Sequence, residues 1–245
     1  MKRIVIVGAS SGLGRRIAGD FAAAGWHVGV AARREEPLRE LAARYPETVK
    51  YAVADVTAPD ASERVLSLVD SLGGMDIFLL AAGVGHQNPA LEPSTELATV
   101  KTNCYGFVSM TDMAYRYFRD NGGCGHIAVI TSVAGTKGLG MAASYSASKR
   151  FGSCYITALE QLSHIEGLSI NFTDIRPGFI RTPLLSVDKK YPMLMSVDHA
   201  APLIERAILR RKRIAIIDWR WRLLVGVWRM IPHWLWTRWK IRMSL

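Results

Sequence analysis

Short apolar runs alternate with amphipathic stretches along most of this chain. The first run, Ile4–Val7, ends in glycine, and Leu13, Ile17 and Phe21 then recur at the spacing of one helix face. The other predicted strands are His27–Ala32, Val49–Ala54, Met75–Ala81, Ile127–Ser132, Ser169–Ile175 and Ile214–Ile217. The other predicted helices are Glu35–Tyr45, one from about Pro59, Thr95–Asn121, Tyr145–Glu166 and Val197–Arg211.

Strands that alternate with helices predict an α/β fold, a Rossmann-type doubly wound parallel sheet with helices on both faces. The run Met75–Ala81 is apolar throughout except for Asp76, as expected of a strand that is covered on both sides. The 245 residues suit one domain. We assign residues 1–217 to this domain and residues 218–245 to a C-terminal helical tail.

The charge of the chain is concentrated in that tail. Residues 210–245 contain ten Lys or Arg and one acid, whereas the preceding 209 residues are nearly neutral. Six of the seven tryptophans follow Asp218. Cys104, Cys124 and Cys154 are widely spaced and odd in number, which predicts neither a disulfide framework nor a zinc site. No secretory signal is evident, so we expect a cytoplasmic protein.

The tail has three interpretations. A helix over residues 219–231 would be roughly 20 Å long, too short for a bilayer core of ~30 Å. Its arginines and tryptophans favour peripheral binding to a membrane surface, with Trp228 and Trp234 supplying apolar contact and Arg222 and Arg229 the charge. A subunit interface is the second interpretation. Nucleic-acid binding is the third and is not our prediction, because no known nucleic-acid fold accompanies the tail. Unless the tail is an interface, a chain that ends near residue 218 should fold.

The first glycine-rich turn is a candidate phosphate-binding loop. It joins the first strand to the first helix, where free N–H groups and the helix dipole favour an anion such as a pyrophosphate. The glycines lie at i, i+4 and i+6, which differs from the common G-x-G-x-x-G spacing. The predicted cofactor-binding residues of this loop are Gly8, Ser10, Ser11, Gly12, Leu13 and Gly14.

The end of the second strand indicates the cofactor. An acid near this point binds the ribose 2′-hydroxyl of NAD, whereas arginine accommodates the 2′-phosphate of NADP. Here Arg33 and Arg34 follow the strand, so we predict NADP rather than NAD. The alternative is a solvated basic pair neutralised by Glu35 and Glu36, which applies most readily to Arg34.

Two further strand ends are predicted to contact the cofactor. Asp55, followed by Val56, could accept a hydrogen bond from the adenine amine, and a turn-forming role is about equally consistent with the sequence. Ala82 and Gly83 follow the fourth strand and would offer the cofactor a surface without side chains. A tight exit from the strand would have the same sequence.

The strongest catalytic signal is the pair Tyr145 and Lys149, whose i, i+4 spacing places both on one helix face. A phenol is a poor acid at neutral pH, and we expect the ammonium to lower its pKa so that it can exchange a proton with a carbonyl or alkoxide. Ser132, at the end of a strand, could hold the substrate oxygen. Asn103 could hold a water molecule that links Lys149 to solvent.

These motifs, in this order, resemble the short-chain dehydrogenase/reductase family over about residues 1–217. The resemblance implies a nicotinamide cofactor, the catalytic set Asn103, Ser132, Tyr145 and Lys149, and frequent oligomers. It also implies that the segment from Pro177 to Thr182 lines the nicotinamide side, which adds the following cofactor-binding predictions: Pro177, Gly178, Ile180 and Thr182. The sequence departs from the family at Val7, where the family has threonine, and at Leu80 and Ala81, where it has two asparagines.

The predicted function is therefore NADP-dependent hydride transfer between a ketone and an alcohol. Tyr145 and Lys149 are also predicted to bind the cofactor, with Lys149 holding its ribose. The segment from Pro183 to Met195 is apolar at its two ends, Pro183–Leu185 and Tyr191–Met195, which favours a bulky substrate. The tail is similar to that of family members that act on lipid-linked sugars. The rival interpretation is an NADP-binding scaffold or sensor without catalysis, and the lost asparagine pair is the feature in its favour.

Overall fold

Seven parallel strands form one sheet in the computed structural model, which describes residues 2–182 and 191–239. The strands are β1 (Arg3–Val7), β2 (His27–Ala32), β3 (Val49–Val53), β4 (Ile77–Leu80), β5 (Cys124–Ile130), β6 (Ser169–Arg176) and β7 (Ile214–Ile216). Their spatial order is β3-β2-β1-β4-β5-β6-β7, and every pairing is parallel. The order reverses between β1 and β4, so the carboxyl ends of these strands open a crevice. The predicted doubly wound sheet is confirmed.

Helices cover both faces of this sheet. They are α1 (Gly12–Ala23), α2 (Glu35–Arg44), α3 (Ala61–Ser71), α4 (Pro93–Val100), α5 (Gly106–Asp120), α6 (Ala143–Ile165), α7 (Val197–Leu209), α8 (Trp219–Met230) and α9 (His233–Arg238). Alternate side chains of β1 enter different cores: Ile4 and Ile6 pack with α1, α2, α7 and α8, whereas Val5 and Val7 pack with α3, α5 and α6. This two-residue period is the expected result of the strand pleat.

The long helical region that the sequence predicts over residues 95–121 is confirmed, but its middle departs from α-helical geometry. A π-helical turn, Lys101–Tyr105, separates α4 from α5 and contains Asn103. The buried Asn103 amide bonds to the backbone of Val84 and to Ser148, and these contacts hold the wider turn in place. Such turns often occur at functional sites.

The tail packs against the domain as two helices. Trp221 and Val225 of α8 are each 1% exposed, and Trp236 of α9 is 7% exposed. Trp221 and Val225 belong to the same core as β1 and α1. This packing revises the expectation that residues 1–217 fold without the tail. Within residues 2–182 and 191–239, no helix combines the length and hydropathy needed to cross a bilayer.

Candidate active site

The glycine-rich loop closes tightly on two neighbouring strands. Gly8 has φ +97°, and a Cβ there would overlap the backbone of Ala82 at the exit of β4. A Cβ on Gly14 would overlap the carbonyl of Gly8, which explains why α1 can begin so close to β1. Ser11 is the N-cap of α1 but makes no side-chain capping bond. The first N–H groups of α1 are therefore free of a side-chain cap and suited to an anion.

Two arginines lie beside this loop. Arg33 and Arg34 are exposed after β2, and Nη2 of Arg34 donates to Oγ of Ser10 at 3.2 Å. The two glutamates that could have neutralised them have other partners: Glu35 accepts from Tyr51, and Glu36 pairs with Arg39. The alternative in which Glu35 and Glu36 neutralise Arg34 is therefore not the arrangement in the structure. Its guanidinium instead reaches the candidate phosphate site.

Asp55 forms a turn beside the crevice. Its Oδ1 accepts from both N and Oγ1 of Thr57, each at 2.9 Å. Burial alone would raise the pKa of Asp55, but the bonds from Thr57 and the nearby charges of Arg33 and Lys101 bring it below its usual value. Asp55 is therefore ionised and retains acceptor capacity on Oδ2. The side chain of Val56 is buried in the core, where it contacts Gly106.

The residues that follow β4 lie beside the predicted catalytic side chains as well as beside the crevice. A Cβ on Gly83 would lie 3.2 Å from Nζ of Lys149 and 3.3 Å from Oδ1 of Asn103. A Cβ on Gly85 would lie 2.6 Å from Cε2 of Tyr145. A side chain at Gly85 would displace Tyr145, and one at Gly83 would press on Lys149 and Asn103, so glycine is favoured beside these predicted catalytic groups. Sequence reasoning missed Gly85, although the repeated glycine after the strand, at 83 and 85, was a usable signal.

The four predicted catalytic residues meet at the carboxyl edge of the sheet. Tyr145 and Lys149 lie in the first turns of α6, and Ser132 follows β5. Nζ of Lys149 donates to the carbonyl of Ile130 at 3.0 Å and lies 5.7 Å from the centre of the Tyr145 ring. The Ser132 hydroxyl lies near enough to the Tyr145 phenol to oppose the rise of its pKa. This arrangement presents a phenol, a hydroxyl and an ammonium to one space.

Asn103 joins the π-helical turn to the catalytic helix. Its Nδ2 donates to the carbonyl of Val84 at 2.7 Å and to Oγ of Ser148 at 3.0 Å, and its Oδ1 accepts from N of Val84 at 2.9 Å. Both amide hydrogens are therefore used inside the protein. A water relay through this side chain would have to use the remaining lone pair of Oδ1, which faces the same side as Nζ of Lys149.

Burial determines the protonation of the catalytic pair. It raises the pKa of the Tyr145 phenol, and the nearby Ser132 hydroxyl opposes that rise. The expectation that Lys149 lowers this pKa is not met, because desolvation of the half-buried phenol has the larger effect. Burial also lowers the pKa of Lys149 to about 8, against the opposing effect of the negative charge of Asp174. At neutral pH the phenol keeps its proton, and most of Lys149 is charged.

Residues of the predicted segment from Pro177 to Thr182 contact different parts of the site. The carbonyl of Pro177 accepts from N of Val133 at 3.0 Å and from Oγ of Ser132 at 3.4 Å. The side chain of Ile180 is buried in the core, while its backbone pairs with Met195. The Thr182 methyl group approaches Gly12. The segment therefore bridges the glycine-rich loop and Ser132. Residues 183–190 of the predicted substrate cover lie outside the described residues.

The indole of Trp221 packs directly on the remaining member of this segment, Gly178. A Cβ on Gly178 would overlap the indole ring. The sequence indicated Gly178 as a cofactor-binding residue only, and this second reason for glycine was not evident from it.

The parallel sheet, the uncapped glycine loop and the Ser-Tyr-Lys cluster define a Rossmann-fold oxidoreductase. The family model for short chain dehydrogenases matches residues 2–191, and the chain belongs to that family. The resemblance noted from the sequence is thus confirmed.

Individual relatives agree with this assignment. An uncharacterized oxidoreductase of Mycobacterium tuberculosis is 34% identical, with 94% of each chain covered. The farnesol dehydrogenase of Aedes aegypti is 33% identical over 75% of this chain and 79% of its own length. Among solved structures, a variant of the actinorhodin polyketide ketoreductase with NADPH has a TM-score of 0.67 and 29% identity, and the match covers 75% of this chain and 72% of that one.

Proposed function

We propose that this protein reduces a carbonyl group to an alcohol with NADPH. The observation that carries the proposal is the half-buried Tyr145 phenol, which keeps its proton at neutral pH and shares a face of α6 with a charged Lys149, with Ser132 nearby. A group that must give a proton to a carbonyl oxygen needs to hold that proton in the resting enzyme. The ketoreductase with NADPH is similar to this chain and supports the same direction.

Residues of the protein itself supply the proton for the carbonyl oxygen and orient the substrate. Ser132 donates to the carbonyl oxygen and fixes it beside the phenol, and Tyr145 transfers its proton as negative charge develops there. Lys149 stabilises the phenolate that results, and Asn103 holds the turn beside it. A bound nicotinamide cofactor supplies the hydride. The uncapped end of α1 and the exposed Arg33 and Arg34 fit its phosphates.

The test of this function is consumption of NADPH with a series of carbonyl compounds. We propose a bulky apolar substrate, with lipid-linked compounds as candidates. The segment after Gly178 is aromatic where it is described, with the ring centres of Phe179 and Tyr191 4.9 Å apart, and the similar farnesol dehydrogenase is named for an isoprenoid alcohol. Long-chain isoprenoid aldehydes and ketones should be reduced faster than short-chain ones. Cofactor binding without consumption across the whole series would favour the non-catalytic scaffold instead.

The arginines after β2 should determine cofactor choice. Replacing Arg33 or Arg34 with Ala should weaken NADPH binding by about 10- to 100-fold, because a charge-assisted bond to a phosphate is worth ~1.5–3 kcal/mol. NADH affinity should change little, since NADH has no 2′-phosphate. Both affinities can be measured by fluorescence titration, with Arg39→Ala as the control because Arg39 is exposed and pairs with Glu36. Equal losses for both cofactors would assign the arginine a structural role.

We also propose that the tail binds a membrane surface, through a face that the structure defines. Helix α8 packs Trp221, Val225 and Trp228 against the domain and exposes the opposite side. The exposed stripe, hereafter the outer face, consists of four apolar side chains at helical spacing: Trp219, Leu223, Val227 and Met230, which are 56–78% exposed.

Arginines flank this outer face. Arg222 and Arg229 are both exposed on α8, next to the apolar stripe. An apolar stripe with flanking cations suits the boundary of an anionic bilayer. Trp228, which the sequence placed in the membrane contact, instead packs between Trp221 and Trp236 and is unsuited to that role.

The outer face makes the membrane proposal testable with the full chain. The protein should sediment with vesicles of phosphatidylglycerol and phosphatidylcholine, and added salt should weaken this binding without abolishing it. Leu223→Ser with Met230→Ser should remove the salt-resistant part. Arg222→Gln with Arg229→Gln should remove the salt-sensitive part.

Leu209→Ser is the control for this experiment, because Leu209 is 55% exposed on α7 and outside the tail. If wild-type protein stays in solution with these vesicles, and the serine variant is a monomer where the wild type is a dimer, then the outer face is a subunit contact. The membrane proposal would then be abandoned.

A homo-oligomer is proposed from a second exposed stripe, on α6. Apolar side chains recur there at helical spacing and remain exposed: Ala147, Phe151, Cys154, Ala158, Leu162 and Ile165. Exposed apolar stripes of this length usually meet a partner. A second copy of the same helix would supply a self-complementary face.

A further inference from the structure

The tail contacts the segment that joins two catalytic residues. Residues 133–142, hereafter the catalytic loop, connect Ser132 to the helix that carries Tyr145. Nζ of Lys137 donates to the carbonyl of Ile231 at 2.6 Å, and Nε1 of Trp236 donates to the carbonyl of Gly138 at 2.8 Å. The Lys137 ammonium also lies 5.5 Å from the centre of the Trp236 ring. Two adjacent residues of the catalytic loop are therefore attached to the tail.

A second attachment reaches Ser132 from the other side. Trp221 packs against Gly178, and the preceding residue, Pro177, accepts hydrogen bonds from Ser132 and from N of Val133. A shift of Trp221 would move the carbonyl that holds the Ser132 hydroxyl. The same hydroxyl accepts a hydrogen bond from N of Ala134 at 3.1 Å, within the catalytic loop.

A continuous aromatic row joins the two attachments. The rings of Trp221 and Trp228 lie 6.4 Å apart, and those of Trp228 and Trp236 lie 5.6 Å apart, both in edge-to-face geometry. Trp221 and Trp236 are buried. Because these rings have few rotatable bonds and are packed, α8 and α9 connect both sides of the site rigidly.

We propose that the tail is part of the catalytic machinery and that Lys137 and Trp236 are its positioning residues. They hold the catalytic loop so that the hydroxyls of Ser132 and Tyr145 meet the same substrate oxygen. This inference rests on the proposed reductase function. Its physical basis is that small displacements of catalytic groups can cost large factors in rate.

The experiment compares Lys137→Met and Trp236→Phe with wild type, using a small water-soluble ketone so that membrane binding plays no part. Both substitutions remove one hydrogen bond and keep most of the packing. We expect kcat to fall about tenfold or more. The NADPH dissociation constant should stay within about twofold, because the arginines and the glycine loop lie on other segments. Hydrogen exchange in residues 133–142 should become faster.

Three further variants sharpen the result. Lys137→Arg keeps a donor and should restore most of kcat. Lys212→Met and Trp234→Phe are matched controls on exposed side chains, since Trp234 is 60% exposed on α9 and is not part of the aromatic row, and both should resemble wild type. A purely structural role would not produce this separation of kcat from cofactor affinity, or the rescue by arginine.

Two results would overturn the inference. One is an unchanged kcat despite faster exchange in the catalytic loop. The other is a parallel loss of kcat, NADPH affinity and melting temperature in both variants, which would indicate general destabilisation. A wild-type protein that reduces no carbonyl compound would instead refute the proposed function, and with it the catalytic role of the tail. The exchange rates would still decide whether the tail holds the loop.

Discussion

Replacement of Tyr145 with Phe is expected to lower turnover with a carbonyl substrate by a factor on the order of 10² or more, the usual contribution of a positioned general acid. The phenol is the proton donor, and phenylalanine keeps its ring on α6 while removing that proton. NADPH affinity should remain near that of wild type, as measured by fluorescence titration. The loss should therefore appear in kcat.

Tyr105→Phe is the matched control for this experiment, because Tyr105 is 54% exposed in the π-helical turn. It should leave turnover unchanged. Near-normal turnover of Tyr145→Phe on a good substrate would refute the mechanism. Lys149→Ala should lower both turnover and cofactor affinity, since we propose that Lys149 holds the cofactor ribose as well as stabilising the phenolate.

The pH profile provides an independent measurement of the same mechanism. The pKa of Lys149 is lowered to about 8 by burial, so its charge is present at neutral pH and is lost as the pH rises through about 8. The pKa of Tyr145 is raised, so the phenol keeps its proton over this range. In the reductive direction kcat/KM, which reports the free enzyme, should therefore fall on the alkaline side of pH 8.

Removal of the tail after residue 218 is expected to destabilise the whole domain. The cut removes Trp221 and Val225, each 1% exposed, together with the buried Trp236. Loss of a buried tryptophan side chain alone costs about 3–5 kcal/mol, whereas a domain has only about 5–15 kcal/mol in total. Thermal unfolding followed by circular dichroism should show a melting temperature lower by well over 10 °C, or no cooperative transition.

Single substitutions distinguish the loss of buried side chains from the loss of the tail as a whole in this experiment. Trp221→Ala should reproduce much of the loss, whereas Trp219→Ala should not, because Trp219 is 67% exposed on the same helix. A truncated chain that melts at the wild-type temperature would show that α8 adds nothing to the core. Sedimentation of the same samples would report whether the tail also affects the oligomeric state.

The alternation of strands and helices could be predicted from the sequence, and so could the shared helix face of Tyr145 and Lys149. Both depend only on residues close together in the chain. Ile4–Val7 and Leu13–Phe21 carry the periods of strand and helix within a few residues. Tyr145 and Lys149 share a helix face simply because they are four residues apart. Glycines at 8 and 14 likewise indicated the turn, since the steric limits of a tight strand-to-helix connection operate between near neighbours.

What depended on distant segments could be known only from the tertiary structure. The π-helical turn at Asn103 depends on Val84 and Ser148, and the pKa of Tyr145 depends on how completely the site is buried. The largest difference between the expectation from the sequence and the structure concerns the tail. Its arginines and tryptophans suggest a surface element, yet Trp221 fills the space that Gly178 leaves open. The composition shows that the tail is rich in apolar tryptophan. Only the folded structure shows whether protein or solvent covers each of these side chains.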